Sequence, residues 1–572
     1  YLTAIEIYER LVKKNAEAYE PALATSYNNA GNFYSDHGQH EKAEKYYLAA
    51  IEIRERLVEN NADAYEPDLA TSYNNAGEFY RKQNQTKKAE KYYLAAIEIR
   101  ERLVEKNAYA YEPDLATSYN NAGAFYSDQG QSDKAEKYYL DAIEIYERLV
   151  KKNAEAYEPA LATIYNNAGV FYKKQGQSEK AEKYYIAAIE IQERLAKKNA
   201  NAFEPDLAMS YNSAGNFYSG HNQPEKAEKY YLAAIEIRER LVEKNADAYE
   251  PDLATSYNSA GAFYDDQNQP DKAEKYYLDA IEIRERLVEN NADAYEPALA
   301  MSYNNAGVFY KNQGQPDKAE KYYLDAIEIY ERLVKKNAAA YEPYIAASYN
   351  SAGAFYDDQN QPDKAEKYYL AAIEIRERLV ENNADAYEPY LATSYNNVGV
   401  FYHEQGQPEK AEKYYLAAIE IQKRLVEKNA DAYESDLAGS YNNVGAFYYE
   451  QGQPEKAEKY FLAAIEIYKR LVEKNAYAYE PDLAMSYNNA GVFYYEQGRL
   501  EKSEKYYLAA IEIRERLVEK NAATYEPDLA DSYFNYYLLK KDKTYLDKAY
   551  EIAKRRQDDP RCRDIVEIVE SM

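Results

Sequence analysis

The side chains best suited to chemistry in this sequence form a row of carboxamides. Asn28, Asn74, Asn120, Asn166, Asn212, Asn258, Asn304, Asn350, Asn396, Asn442 and Asn488 follow one another at a constant spacing of 46 residues. A carboxamide carries both a donor and an acceptor. A ladder of them can therefore pair with the backbone of an extended peptide whatever that peptide's sequence. The same regularity is expected if each Asn bonds to an adjacent helix and fixes a stack, or if recent duplication has left the copies alike.

Beside this constant position lie variable ones, and variation in an otherwise uniform array is where specificity would reside. Arg81 with Lys82, and Lys173 with Lys174, place two basic spots in the early copies. Asp265, Asp266, Asp357 and Asp358 make the later copies acidic, with Lys311 interrupting them. Tyr449 and Tyr495, each followed by Glu, add an aromatic and acidic end. A protein or peptide with an acidic portion toward the early copies, and a basic or aromatic segment toward the later ones, is complementary to this row. Drift on a solvated surface is the competing explanation.

Catalytic and metal chemistry find little support. The four His residues (His37, His40, His221 and His403) fall at turns or helix ends, and only His37 and His40 share a repeat. Cys562 is the only cysteine, so neither a disulfide framework nor a thiolate metal site is expected, which suits a reducing, cytoplasmic compartment. There is no glycine-rich phosphate loop and no nucleophile elbow. An active site normally breaks repeat symmetry, and no such departure stands out. The reading is a non-enzyme without cofactor or metal. A net charge of −28 disfavours nucleic acid. No run of 18 apolar residues or signal peptide is found, so no membrane partner is expected.

The elements that must position these residues recur with the same period. In the copy from Pro67 to Glu112, Leu69, Ala70, Tyr73, Ala76, Gly77 and Tyr80 line one face of a helix. Pro67 suits its first turn. Gln83-Asn84-Gln85 ends it, with Asn or Gly at the middle position as a left-handed stop. Thr86, or Ser132 or Pro224 in other copies, opens a second helix that runs to about Lys106. That helix has two apolar faces: Ala89, Tyr93, Ala96, Ile97 and Val104 on one, Tyr92, Ala95, Ile99 and Leu103 on the other. It must be packed on two sides. A polar loop, Asn107 to Glu112, is expected to lead to Pro113. A Cβ at Gly77 would point into the neighbouring helix, so glycine there permits close approach. Thr71, Asn74, Asn75, Glu78, Arg81 and Lys82 form the stripe opposite the apolar face. One helix pair cannot bury both its faces, whereas a stack can.

These residues resemble a tetratricopeptide repeat. Tyr73-x2-Ala76-Gly77-x2-Tyr80 and Ala89-x3-Tyr93 match its pattern, with Tyr for Trp, Ala for Leu and Tyr for Phe. The unit departs from that family in having 46 residues rather than 34, and in placing Glu101 at the closing proline position. In its lengthened second helix, its Asn-Asn pair and its Tyr-x2-Gln-Gly-x4-Ala-Glu run it is similar to the kinesin light chain type of repeat. The resemblance implies an all-α, right-handed α-solenoid of antiparallel helix pairs, a tetratricopeptide superhelix. It also implies that the polar stripe lines a concave groove holding partner peptides. The expected organisation is the second helix of a truncated repeat over 1–20, eleven repeats over 21–526, and a degenerate twelfth repeat with a capping helix over 527–572. Tyr1 to Ile7 align with Tyr47 to Ile53, so the sequence opens in mid-helix as a fragment would. The function expected is a protein-interaction scaffold. The alternative is a sensing or autoinhibitory arm of a larger signalling protein, of the signal-transducing ATPase or protease type, whose effector precedes residue 1.

Overall fold

Asparagine, not proline, starts each first helix. In the computed structural model, which describes residues 2–221, 223–557 and 559–572, helices Ala62–Lys82, Thr86–Lys106 and Ala108–Asp128 follow in succession. Tyr1 lies outside the described residues. Asn107 alone separates the second helix of one repeat from the first helix of the next. Its N–H donates to the Leu103 carbonyl at 2.9 Å, closing one helix. Its Oδ1 accepts from the Ala110 N–H at 3.3 Å, opening the next. The expected loop from Asn107 to Glu112 is thus helical from Ala108 onward, and Pro113 sits in the second turn. A side-chain cap contributes about 1 kcal/mol. The added turn also brings Tyr111 against the core and buries Glu112. Together these favour a helix that the proline, by lacking one N–H, opposes.

The turn between paired helices is the left-handed stop read from the sequence: Asn84 has φ 52°, and Gly130 has φ 69°. Close approach follows from Gly77, where an added Cβ would lie 2.9 Å from the Tyr93 ring. Around it Ala70, Ala76, Ala89 and Ala96 are fully buried, and Tyr80 and Tyr93 fill the space between helices.

The chain is all-α, with 26 helices and no strand among the described residues. It is a right-handed solenoid of antiparallel helix pairs. Each second helix packs on its own first helix and on that of the next repeat. Consecutive first helices approach backbone to backbone, whereas consecutive second helices meet through long side chains, as Lys88 meets Glu44 at 3.0 Å. The stack therefore curves with first helices inside. At the end, Ala522–Lys540, Lys543–Arg555 and Pro560–Ser571 enclose a separate cluster in which Cys562, Ile565 and Val566 are buried beside Tyr507 and Leu529. Among the described residues no helix is long and apolar enough to cross a membrane.

The curvature brings the chain back onto itself. Asn337 Nδ2 donates to Gln83 Oε1, Asn383 Nδ2 to Gln129 Oε1, and Asn429 Nδ2 to Gln175 Oε1, each at 2.5 Å across 254 residues. Asn84 Nδ2 donates to the Ala339 carbonyl at 3.2 Å. An added Cβ at Gly130 would meet the Asp385 carbonyl oxygen at 2.7 Å, so this turn is packed on backbone. One superhelical turn takes about five and a half repeats. The helix-pair turns of the first half dock on the Asn junctions of the second half along a continuous seam.

Candidate partner-binding groove

The Asn ladder lies along the inner helices, mostly beneath the surface. Asn28, Asn74, Asn166, Asn212, Asn258, Asn442 and Asn488 are buried; Asn120, Asn304, Asn350 and Asn396 are half-buried. The carboxamides bond between repeats. Ser72 Oγ donates to Asn28 Oδ1 at 3.4 Å, Ser256 to Asn212 at 3.3 Å and Ser394 to Asn350 at 3.3 Å. Asn258 Nδ2 and Asn442 Nδ2 bond to Ser302 and Ser486 at 2.6 and 2.7 Å. At the half-buried steps the neighbouring Asn takes part: Asn167 Nδ2 donates to Asn120 Oδ1 at 3.1 Å, and Asn443 Nδ2 to Asn396 Oδ1 at 3.4 Å.

The same serines receive a second group that sequence reasoning passed over. Arg100 on the second helix donates to Ser118 Oγ and, at 2.8 Å, to the Asp114 carbonyl of the next repeat. Its other nitrogen reaches Thr71 Oγ1 of its own repeat at 3.4 Å. Arg54, Arg238, Arg284, Arg376 and Arg514 are buried likewise. Burial holds all of these guanidinium groups below the usual arginine range. Asp68, Asp114, Asp252 and Asp528 offset this at Arg54, Arg100, Arg238 and Arg514. Arg284 and Arg376, with Ala298 and Tyr390 at that place, are pushed down to about 10. A register reading Arg, Tyr or Gln between apolar neighbours (Arg100, Tyr146, Gln192) was the available signal.

The variable positions line the last turns of the inner helices, and the two halves differ. In the early half the cations are held by internal partners. Arg81 grips Glu78 with two bonds of 2.9 and 2.8 Å and also reaches Asp128. Lys174 meets the same Asp128 at 3.4 Å, and Lys82 lies 3.9 Å from Glu78. Lys173, lowered by burial, donates to the Asn216 carbonyl at 2.8 Å. The structure thus joins Arg81 and Lys174 through Asp128.

In the later half acid predominates. Asp265 and Asp266 are raised by burial, Asp265 further by its neighbour. Asp357 is pushed up to about 6 by burial, then by Glu404 and Asp358, with Lys311 opposing. Lys311 pairs with Asp358 at 2.7 Å. His403 meets Glu450 at 2.9 Å, and Tyr449 stands edge-on to Phe493. Tyr495, one repeat further on, is half-buried and packs against the terminal cluster. Among the described residues no group of three or more His, Cys, Asp or Glu is placed to hold a metal ion.

The Tetratricopeptide repeat family model matches residues 22–102, 68–148, 160–240, 298–378 and 344–424. A second model of the same description matches 253–292, 437–475 and 483–521. Similar solved structures include BtubC (BKLC) from P. vanneervenii, 25% identical, covering 43% of this chain and 92% of that one with a TM-score of 0.36. Yeast Tom70 is 15% identical, covering 96% of this chain and 95% of that one with a TM-score of 0.41. No curated protein matches the chain.

Proposed function

The chain belongs to the tetratricopeptide repeat family, and we propose that this protein-interaction scaffold holds the basic segment of a protein or peptide partner along the inner helices of its later repeats. The observation that carries this reading is the contrast between the halves. Arg81, Lys82 and Lys174 are ion-paired internally with Glu78 and Asp128. Asp265, Asp266 and Asp357 instead are raised above the usual carboxylate range, by burial first and at Asp265 and Asp357 also by neighbouring carboxylates. Lys and Arg side chains of a partner would pair with them. Asn304, Asn350 and Asn396, half-buried beside this row, contribute amides to the partner's backbone, and Tyr449 and Tyr495 extend the site. The buried members of the ladder, with their Ser partners, hold the repeats in register beneath it.

The proposal makes affinity pH-dependent through Asp357. Its folded pKa of about 6 exceeds the ordinary 3.8. Ionising it therefore lowers the stability of the free protein as pH rises from about 3.8 to 6, and a bound cation relieves that loss. Calorimetric titration with a Lys/Arg-rich peptide is expected to show affinity rising several-fold between pH 5 and pH 7, then levelling. An affinity that is flat over that interval would count against the assignment.

A further inference from the structure

The seam that closes one superhelical turn has both of its halves displayed again, exposed, on opposite edges of the molecule. On the closed seam Gln83, Gln129 and Gln175 are 4, 5 and 9% exposed. The equivalent Gln359, Gln451 and Gln497 of the later repeats are exposed. Added Cβ atoms at Gly38 and Gly176 would meet carbonyl oxygens of Asp293 and Asp431 at 2.6 and 2.7 Å; at Gly406 and Gly452 they would meet open space. The junctions behave inversely. Asn337, Asn383 and Asn429 are half-buried against the seam, whereas Asn61, Asn107 and Asn153 of the early repeats are exposed.

Charge follows the same rule. At two steps of the seam an acid in the first turn of a second helix shares a cleft with the Lys that ends another: Asp133 with Lys428, which also pairs with Asp385 at 2.7 Å, and Glu179 with Lys474, which also pairs with Asp431 at 2.6 Å; at the Asn84 step the same two places hold Lys87 and Asn382. The open edge of the later repeats presents Glu409, Glu455 and Glu501 at that acidic position, and the open edge of the early repeats presents Lys106, Lys152 and Lys198 at the basic one. All six are exposed.

We propose that these edges bind each other between two copies of this chain, the later repeats of one against the early repeats of the next. The occupant is a second copy because the chain itself carries both halves of an interface it already forms internally. The contact is heterologous and leaves an open edge at each end, so association continues head to tail into linear chains. The substitutions that test it lie outside the Asp265 to Asp358 row.

Sedimentation velocity over a concentration series tests this on the full chain. The wild type should grow in mean mass with concentration, and less so at high salt. Lys106→Glu with Lys152→Glu and Lys198→Glu should weaken association at least tenfold, as should Glu409→Lys with Glu455→Lys and Glu501→Lys, with helicity unchanged by circular dichroism. Mixing the two reversed chains should restore association, because each then offers the charge the other lacks. A wild type that stays monomeric at every concentration overturns the proposal, and so does association that ignores the reversals or a mixture that fails to associate. A monomer whose acidic edge still takes a cationic peptide, lost on reversal of Glu409, Glu455 and Glu501, would give that edge to a partner instead. The row proposed to bind a partner is untouched by these substitutions, so its peptide affinity is read separately.

Discussion

Replacing Asp265, Asp266, Asp357 and Asp358 together by Lys is expected to weaken binding of a Lys/Arg-rich peptide by about 100-fold or more. Four attractions are removed and four repulsions take their place. At these half-buried and exposed positions this adds up to roughly 3 kcal/mol or more, a hundredfold or greater in affinity. The fold should tolerate the change. Asp265, Asp266 and Asp357 are already held above the usual carboxylate range by burial, so their negative charge does not support the native state. The internal bonds lost are the long one from Gln313 Nε2 to Asp265 at 3.4 Å and that from Lys311 to Asp358, which is 55% exposed, and surface pairs of this kind contribute little. A control reversal at Glu98, 77% exposed on the second helix, should leave peptide affinity unchanged. Calorimetry on both variants, alongside thermal melts, checks this. Equal affinity in the row variant and the control would remove the groove from the account.

A second large effect is expected at the buried guanidinium groups. Arg284, 2% exposed, donates to Ser302, to the Ala298 carbonyl at 2.9 Å and to Thr255 Oγ1 at 3.2 Å. Arg284→Ala removes all three bonds and leaves a cavity between two repeats. A loss of about 3 kcal/mol is expected. Arg284→Tyr should cost less than about 1 kcal/mol, because one repeat later Tyr330 fills the equivalent place and donates to the Pro297 carbonyl at 3.2 Å. Stability in a stacked array is a sum of near-neighbour terms, so the damage should centre on the repeats joined by residues 255, 284 and 302. Hydrogen exchange resolved by peptide would locate it. Ala and Tyr variants of equal stability would show that the hydrogen bonds at this place do not matter.

These residues also show what was legible in the sequence. Gly77, Asn84 and the alternation of Ala with Tyr act within one repeat, where periodicity and turn chemistry decide the outcome, and the helix pair and its stacking followed from them. The start of the first helix was misplaced because two rules competed. Pro67 suits a first turn, yet Asn61 is a helix cap six residues before the proline that seemed to begin the helix. Arg100 reads as a solvated charge until the next repeat is laid over it. The seam was the least visible feature. The pairing of Gln83 with Asn337 depends on a small rotation per repeat summed over about five and a half repeats, and no local pattern records that sum. At the candidate site the variable row could be identified, but the pairing of Arg81 and Lys174 through Asp128 depends on contact between repeats.

The most direct measurement is to join a Lys-rich peptide to the chain with a zero-length carbodiimide reagent and map the joined carboxylates by mass spectrometry. Attachment is expected at Asp265, Asp266, Asp357, Asp358 and Glu404, suppressed by excess unreactive peptide. Attachment concentrated instead at Glu52, Glu98 and Glu236 of the second helices, with the Asp row unmodified, would contradict it.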